Sequence, residues 1–210
     1  IWVGTQVPGM TQAAVMKLTG LKREQVRIHN HLLGGGFGRR LEYDGTVRAV
    51  QIAQQVRGPV QVIWTREEDI QHDMYRPYYY DRLSAGVDGQ GKAVAWSHRI
   101  TSSSIVARYI PAAMKDGVDP DAVESSANQP YGFPDIHVDW VRQEPAPGLQ
   151  TTWWRGVGIT RGTFVVESFV DELAASAKQD PLAYRIALLD KNPRARAVLR
   201  VQAEPALPRA

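Results

Sequence analysis

At 210 residues the chain is long enough to bury a core of its own, as one large domain or two small ones. Its 25 basic residues against 22 acidic ones leave a net charge of only +3, and no long basic run adds to it, which argues against nucleic acid or a membrane surface as partner. The complete lack of cysteine excludes disulfides and thiolate metal ligands, so any metal must be held by other ligands or by a cofactor.

No apolar run approaches the roughly 20 residues needed to span a bilayer, and no signal-peptide pattern is visible. The opening Ile1-Trp2-Val3, which reads as strand from the first residue, gives the expectation of a piece of a longer polypeptide.

In chain order, residues 1–6 predict a short strand ending at Thr5-Gln6, with Pro8-Gly9 as a break. Thr11 is the expected N-cap of a helix running to Leu18, and Gly20 the residue that closes it. A strand over 25–31 carries His29 and His31 on one face and leads into Leu33-Gly34-Gly35-Gly36-Phe37-Gly38-Arg39-Arg40. A helix over 46–57 is expected to bury a wide side, with Val47, Val50 and Ala53 flanked by Ala49, Ile52 and Val56, until Gly58-Pro59 stops it.

Residues 60–64 predict a strand and 66–69 a charged turn opening a short helix. The aromatic cluster Tyr75-Arg76-Pro77-Tyr78-Tyr79-Tyr80 precedes the clearest hairpin, in which Asp88-Gly89-Gln90-Gly91 joins runs 80–87 and 92–103. In the second run Val94, Trp96, His98 and Ile100 alternate, so one face is expected to be buried. Residues 104–135 read as an excursion with a short helix, and 136–142 as a further strand. A long helix is expected over 163–178, with Phe164, Val165, Phe169, Val170, Leu173 and Ala177 as its apolar residues. Asp180-Pro181 pairs an N-cap with proline at the first helical position, opening a helix to about Asp190, and a last short helix follows Pro193. Strands in groups with long helices between them and at the end predict an α+β fold, mixed sheets with packed helices, rather than a regular βαβ array.

Two stretches carry chemistry. Three consecutive glycines, an aromatic and a fourth glycine make a loop whose backbone can take positive φ and approach a ligand closely. It fails the dinucleotide fingerprint: Gly34, Gly36 and Gly38 give G-x-G-x-G, position 39 is Arg, and no acidic residue closes a second strand. An anion cradle using backbone N–H groups with Arg39 and Arg40 stays open, as does a glycine turn with no ligand. The second stretch is Trp153-Trp154-Arg155-Gly156-Val157-Gly158, where an Arg held among aromatics and glycines presents a fork suited to phosphate or a planar polar group. A cation–π packing turn is the alternative reading. His29 and His31 lack a third ligand at suitable spacing, and a solvated strand face accounts for them better than a metal.

Together, Thr5-Gln6, the loop Gly34 to Gly38, and Trp154-Arg155-Gly156-Val157-Gly158, in that order, resemble the molybdenum-cofactor subunit of the xanthine oxidase and aldehyde oxidase family, and within it the isoquinoline 1-oxidoreductase-like large subunits. Trp64-Thr65-Arg66-Glu67-Glu68-Asp69, the hairpin at 88–91 and Pro130-Tyr131-Gly132-Phe133-Pro134 extend the resemblance over nearly the whole chain.

The resemblance implies a partial molybdopterin-binding domain over 1–210 and assigns cofactor-binding roles to Gln6, Gly36, Phe37, Gly38 and Arg155. Gln6 would bond an oxo ligand of the metal, the loop backbone would lie beside it, and Arg155 would contact the pterin. Phe37 and Val157 would border the substrate. The dithiolene sulfurs of the molybdenum–pterin cofactor would hold the metal, which fits a chain without cysteine. Partners implied are the remainder of the large subunit, a small subunit with iron–sulfur clusters, and an N-heteroaromatic or aldehyde substrate oxidised with water-derived oxygen. The family's catalytic glutamate lies beyond this chain, so residues 1–210 alone are expected to be inactive.

Departures point away from purines. Leu41, with Glu42 beside it, stands where purine-oxidising members carry a substrate-binding Glu. Their substrate-binding Arg has no match near Ala122, and their phenylalanine after Arg-Gly is Val157. Two other readings are an anion- or nucleotide-binding module on the glycine loop, and an interaction surface in which the long C-terminal helix docks onto a missing domain.

Overall fold

The structure is a computed structural model that describes residues 1–203, and the chain divides into two compact units. The first comprises Ile1–Pro77 and Pro145–Arg155. It contains β1 (Trp2–Val3), α1 (Pro8–Thr19), β2 (His29–Asn30), α2 (Asp44–Ala53) and α3 (Arg66–His72), with 3-10 turns at Arg23–Gln25 and Arg39–Leu41. β1 and β2 form a short parallel ladder, Trp2 opposite His29 and Val3 opposite Asn30.

α1 begins at Pro8, which is not a break: a proline in the first turn gives up an N–H that has no helical partner. Thr11 is therefore inside the helix and not its N-cap. It is fully buried, donating from Oγ1 to the Val7 carbonyl at 3.0 Å. Gly20 does close the helix, with φ 73° and its N–H on the Met16 carbonyl at 2.9 Å.

α2 ends at Ala53, and its expected wide buried side is not found: Thr46 is its one buried residue, while Ile52 and Val56 are exposed. Ala49, Val50 and Ala53 line a cleft of about 1150 Å³ in place of a packed core. Residues 60–64 are extended, with half-buried Val60, Val62 and Trp64 alternating with exposed Gln61 and Ile63, yet they pair with no strand among the described residues. The pattern of a strand is present and its neighbour is not. Thr65 caps α3 by accepting the Glu68 N–H at 3.2 Å.

The second unit comprises Tyr78–Glu144 and residues 156–203. Its sheet has the order β3 (Tyr79–Val87), β4 (Ala93–Ser102), β5 (Asp135–Arg142), antiparallel between β3 and β4 and parallel between β4 and β5. Trp96, His98 and Ile100 are buried as their alternation predicts, whereas Val94 is only half-buried. The register shifts between Gly86 and Val87, so Gly86 faces Ala95, Val87 faces Ala93, and Val94 is the unpaired bulge residue.

The helices are α4 (Ile105–Tyr109), α5 (Val157–Ser176), α6 (Pro181–Leu188) and α7 (Pro193–Ala203). α5 starts six residues before the predicted 163, and its core stripe is Gly158, Gly162, Val166, Val170 and Leu173 with Ala174. Phe164 is exposed, because the small residues at 158 and 162 pack the helix against the turn at 121–125 and fix its rotation. Asp180 caps α6 through the Ala183 N–H at 2.9 Å, ahead of Pro181.

Trp96 anchors this core, 4.9 Å from the Phe133 ring and 5.2 Å from Phe169. Arg161 ties α5 to the sheet. It pairs with Asp81, donates to the Ala122 carbonyl at 2.6 Å, and stacks 4.2 Å from the Tyr79 ring centroid. Burial pushes the Tyr79 hydroxyl up to about 12. The fold is α+β with a mixed sheet and packed helices. No helix among the described residues is long and apolar enough to cross a membrane.

Candidate functional site

The first unit brings five of the residues singled out from the sequence together: Gln6, Gly36, Phe37, Gly38 and Arg155. The β1–β2 ladder starts the assembly by setting Thr5 beside Asn30. The Asn30 side chain accepts the Thr5 N–H at 2.9 Å and donates to its carbonyl at 3.1 Å, holding the chain straight into Gln6. The glycine loop then folds back on that segment. The Arg40 carbonyl accepts from the Gln6 N–H at 3.0 Å and from Thr5 Oγ1 at 3.2 Å, while Arg40 Nη1 donates to the Gly4 carbonyl at 3.3 Å.

Two glycines are dictated by contact. A Cβ on Gly36 would run into the Gln6 amide, and one on Gly38 would lie 2.7 Å from the Trp153 carbonyl oxygen. Gly38 also has φ 92°, a conformation that strains any L side chain. The Gly38 N–H donates to Gln6 Oε1 at 3.1 Å. A backbone N–H can only donate, so this bond fixes the amide oxygen inward and leaves Gln6 Nε2 as a donor with no protein acceptor among the described residues.

The aromatic-Arg turn is braced from several sides. Tyr75 bridges Thr151, with its N–H on the Gln150 carbonyl and its carbonyl accepting the Thr152 N–H, each at 2.9 Å. Thr152 Oγ1 donates to the buried Glu42 carboxylate at 2.6 Å. Glu42 is thus engaged as a strut between loop and turn, and not offered to a ligand. Trp153 is buried against Gly38, Trp154 and Arg155 are exposed, and the Arg155 guanidinium sits 5.9 Å from the centroid of the exposed Phe37 ring.

Phe37 and Val157 have φ of 49° and 41°, two of five non-glycine residues with positive φ among the described residues. They are also the two residues to which the family resemblance assigns a place beside the substrate. Val157, the first residue of α5, belongs to the second unit and is not part of the first unit's cluster.

Of the basic pair after the loop, Arg39 is already engaged by two carboxylates. Arg39 Nη1 and Nη2 donate to the two Asp44 carboxylate oxygens at 3.0 and 3.1 Å, and its Nε bonds Asp73. Burial disfavours the Arg39 charge, but the hydrogen bonds to Asp44 and Asp73 outweigh it and raise its pKa further. Burial likewise works to raise the Asp44 carboxyl, and the Arg39 hydrogen bond prevails, holding it below the ordinary carboxylate value. None of the five clustered residues borders the 1150 Å³ cleft, which lies on the Arg39 side of the loop.

His29 stacks on Trp2 at 4.8 Å and His31 is exposed. Among the described residues no group of three or more His, Asp or Glu is placed to hold a metal ion. The cluster instead offers an exposed shelf of one amide donor, one guanidinium and one aromatic ring over a backbone that side chains would obstruct. That donor set suits a polar planar group that carries its own metal ligands.

Residues 1–188 match the family described as the molybdopterin cofactor-binding domain, and the chain belongs to it. It is 32% identical over 205 residues to the beta chain of isoquinoline 1-oxidoreductase from Brevundimonas diminuta, covering 97% of this chain and 26% of that one. It is 26% identical to a nicotinate dehydrogenase component from Pseudomonas putida, covering 97% and 17%. The crystal structure of quinoline 2-oxidoreductase from Pseudomonas putida 86 matches with a TM-score of 0.70 at 18% identity, over 88% of this chain and 23% of that one, a likeness of fold. The chain spans about a quarter or less of the length of these relatives.

Proposed function

We propose that residues 1–210 form one wall of the molybdenum–pterin site in the large subunit of a molybdenum hydroxylase similar to isoquinoline 1-oxidoreductase, acting on N-heteroaromatic rings or aldehydes. The observation that carries this reading is the Gln6 amide, whose oxygen is taken by the Gly38 N–H so that its Nε2 is left as a donor at the glycine loop. When bound, the cofactor supplies two-electron oxidation of a substrate carbon with oxygen taken from water.

The chain's own residues bind and orient. Gln6 Nε2 donates to an acceptor on the cofactor, the Gly36-Phe37-Gly38 backbone lets it come close, and Arg155 holds the pterin through its guanidinium. Phe37 shapes the substrate side. With Glu42 bonded to Thr152, its carboxylate is not offered to a purine, which favours neutral heteroaromatic or aldehyde substrates. A catalytic glutamate and an iron–sulfur partner would be supplied from outside these residues.

The test is molybdenum content, with oxidation of isoquinoline and benzaldehyde, in the full-length parent co-expressed with its iron–sulfur partner, beside Arg155→Ala. Near-stoichiometric metal that falls severalfold in the variant is the expected result. A folded, matured parent without molybdenum would overturn the assignment.

A further inference from the structure

The segment Tyr75-Arg76-Pro77 contributes no group to the shelf, yet it lies directly against it. The bridge between Tyr75 and Thr151 fixes the main chain one residue before Arg76, and Pro77, buried, restricts Arg76 to extended backbone. The Arg76 side chain is thereby delivered to the Trp154-Arg155 turn. Its Nη2 donates to the Arg155 carbonyl oxygen at 3.1 Å, and its guanidinium carbon lies 6.0 Å from the Trp154 ring centroid. No carboxylate pairs with Arg76 among the described residues, so its charge is not committed to a salt bridge.

Two guanidinium–aromatic pairs therefore flank one turn, Arg76 with Trp154 and Arg155 with Phe37. They differ in what they hold. Arg155 extends its side chain toward the glycine loop, whereas Arg76 grips the main chain of Arg155 itself. Trp154 is 49% exposed, and the Arg76 cation near its ring and the Arg76 bond to the next carbonyl help to restrain it.

We propose that Arg76 is a positioning residue for Arg155, fixing the peptide from which the Arg155 guanidinium reaches the pterin. This rests on the reading that Arg155 contacts the pterin. Lysine at position 76 keeps a cation over Trp154 and one donor for the carbonyl, and so retains most of the effect. Methionine keeps the aliphatic reach and loses both.

The experiment is a double-mutant cycle in the full-length parent with its iron–sulfur partner: Arg76→Met, Arg155→Ala and the two combined, with Arg76→Lys as the rescue. The readout is pterin retained per large subunit over time in dialysis, alongside near-ultraviolet circular dichroism of the tryptophans. Arg76→Met should release pterin roughly tenfold faster, the scale of one lost hydrogen bond from a charged donor, and should alter the tryptophan signal. Arg76→Lys should restore retention to within about threefold. The combined variant should be no worse than Arg155→Ala alone, because both changes remove one interaction.

Additive losses would overturn the proposal, since Arg76 would then act independently of Arg155. Wild-type retention in Arg76→Met beside rapid loss in Arg155→Ala would also overturn it, and would leave the reading of Arg155 standing. Unchanged retention in Arg155→Ala removes that reading and the proposal with it. If the methionine variant does not fold, Arg76→Lys with and without Arg155→Ala decides the matter: losses that add overturn positioning.

Discussion

Gly38 is the position where the loop is least able to accept a side chain, and Gly38→Ala puts that to the test. The added methyl group would lie 2.7 Å from the Trp153 carbonyl oxygen, 2.8 Å from its carbon and 2.9 Å from Trp153 Cβ, all atoms of a buried residue in a braced turn. The backbone cost at φ 92° is about 1–2 kcal/mol, and relief of the overlap adds about 1–3 kcal/mol. The sum is a loss of about 2–5 kcal/mol from the first unit. Urea unfolding followed by tryptophan fluorescence reads it as a midpoint lower by roughly 1–2 M, and amide exchange at residues 38–42 locates the loss. Gly45→Ala is the control: it lies in α2, with nothing within 4 Å of its Cβ, and should stabilise by about 0.5–1 kcal/mol. A Gly38→Ala protein within about 1 kcal/mol of wild type would refute the close approach of loop and turn.

Two further outcomes follow from the same unit. Thr152→Val removes the hydroxyl that donates to the buried Glu42 carboxylate at 2.6 Å, at a cost of about 1–3 kcal/mol by chemical denaturation. Glu42→Gln keeps an acceptor for Thr152 and should cost less, and a reversed order would exclude the strut. The Asp44 carboxyl, held low mainly by Arg39, contributes stability that is complete above about pH 4 and is lost as pH falls through its folded value. Asp44→Asn should therefore lower the melting temperature at about pH 7, and its deficit should close below about pH 4; a deficit independent of pH between about 2 and 7 would contradict the pairing.

Local chemistry is legible in the residues. The Asp88-to-Gly91 turn, Gly20 as a helix stop, and Asp180-Pro181 as a helix start each depend on neighbours a few positions away, and each is found. Thr11 reads as a cap only if Pro8 is a break, and the first turn of a helix is where proline costs least. Of the apolar residues expected in α5, Phe169, Val170, Leu173 and Ala177 do meet the core, but Phe164 is exposed. The packing is set instead by Gly158 and Gly162, which sequence hydrophobicity scores as nothing. For residues 60–64 and the outer side of α2 the periodicity is real, but burial needs a neighbour that periodicity does not name.

At the site, the family resemblance carried by Thr5-Gln6, the glycine loop and the Trp-Arg turn points to Gln6, Phe37 and Arg155. The residues that brace them are not visible in the sequence: Asn30, Glu42, Thr152 and Arg76 are ordinary polar residues, and their partners lie 25, 110, 110 and 79 positions away. Only the bulky, unusual composition of Tyr75-Arg76-Pro77 marks one of these segments.

The first unit is made from two stretches of chain with the second unit's Tyr78–Glu144 running between them. The Glu42–Thr152 bond closes a loop of 110 residues, an entropic cost of about 4 kcal/mol, against about 1 kcal/mol for the turn where the Asp88 N–H meets the Lys92 carbonyl. The hairpin can therefore form early, while the shelf that holds Gln6 and Arg155 together is among the last parts to close. On the ribosome the glycine loop waits without its brace until Thr152 has emerged.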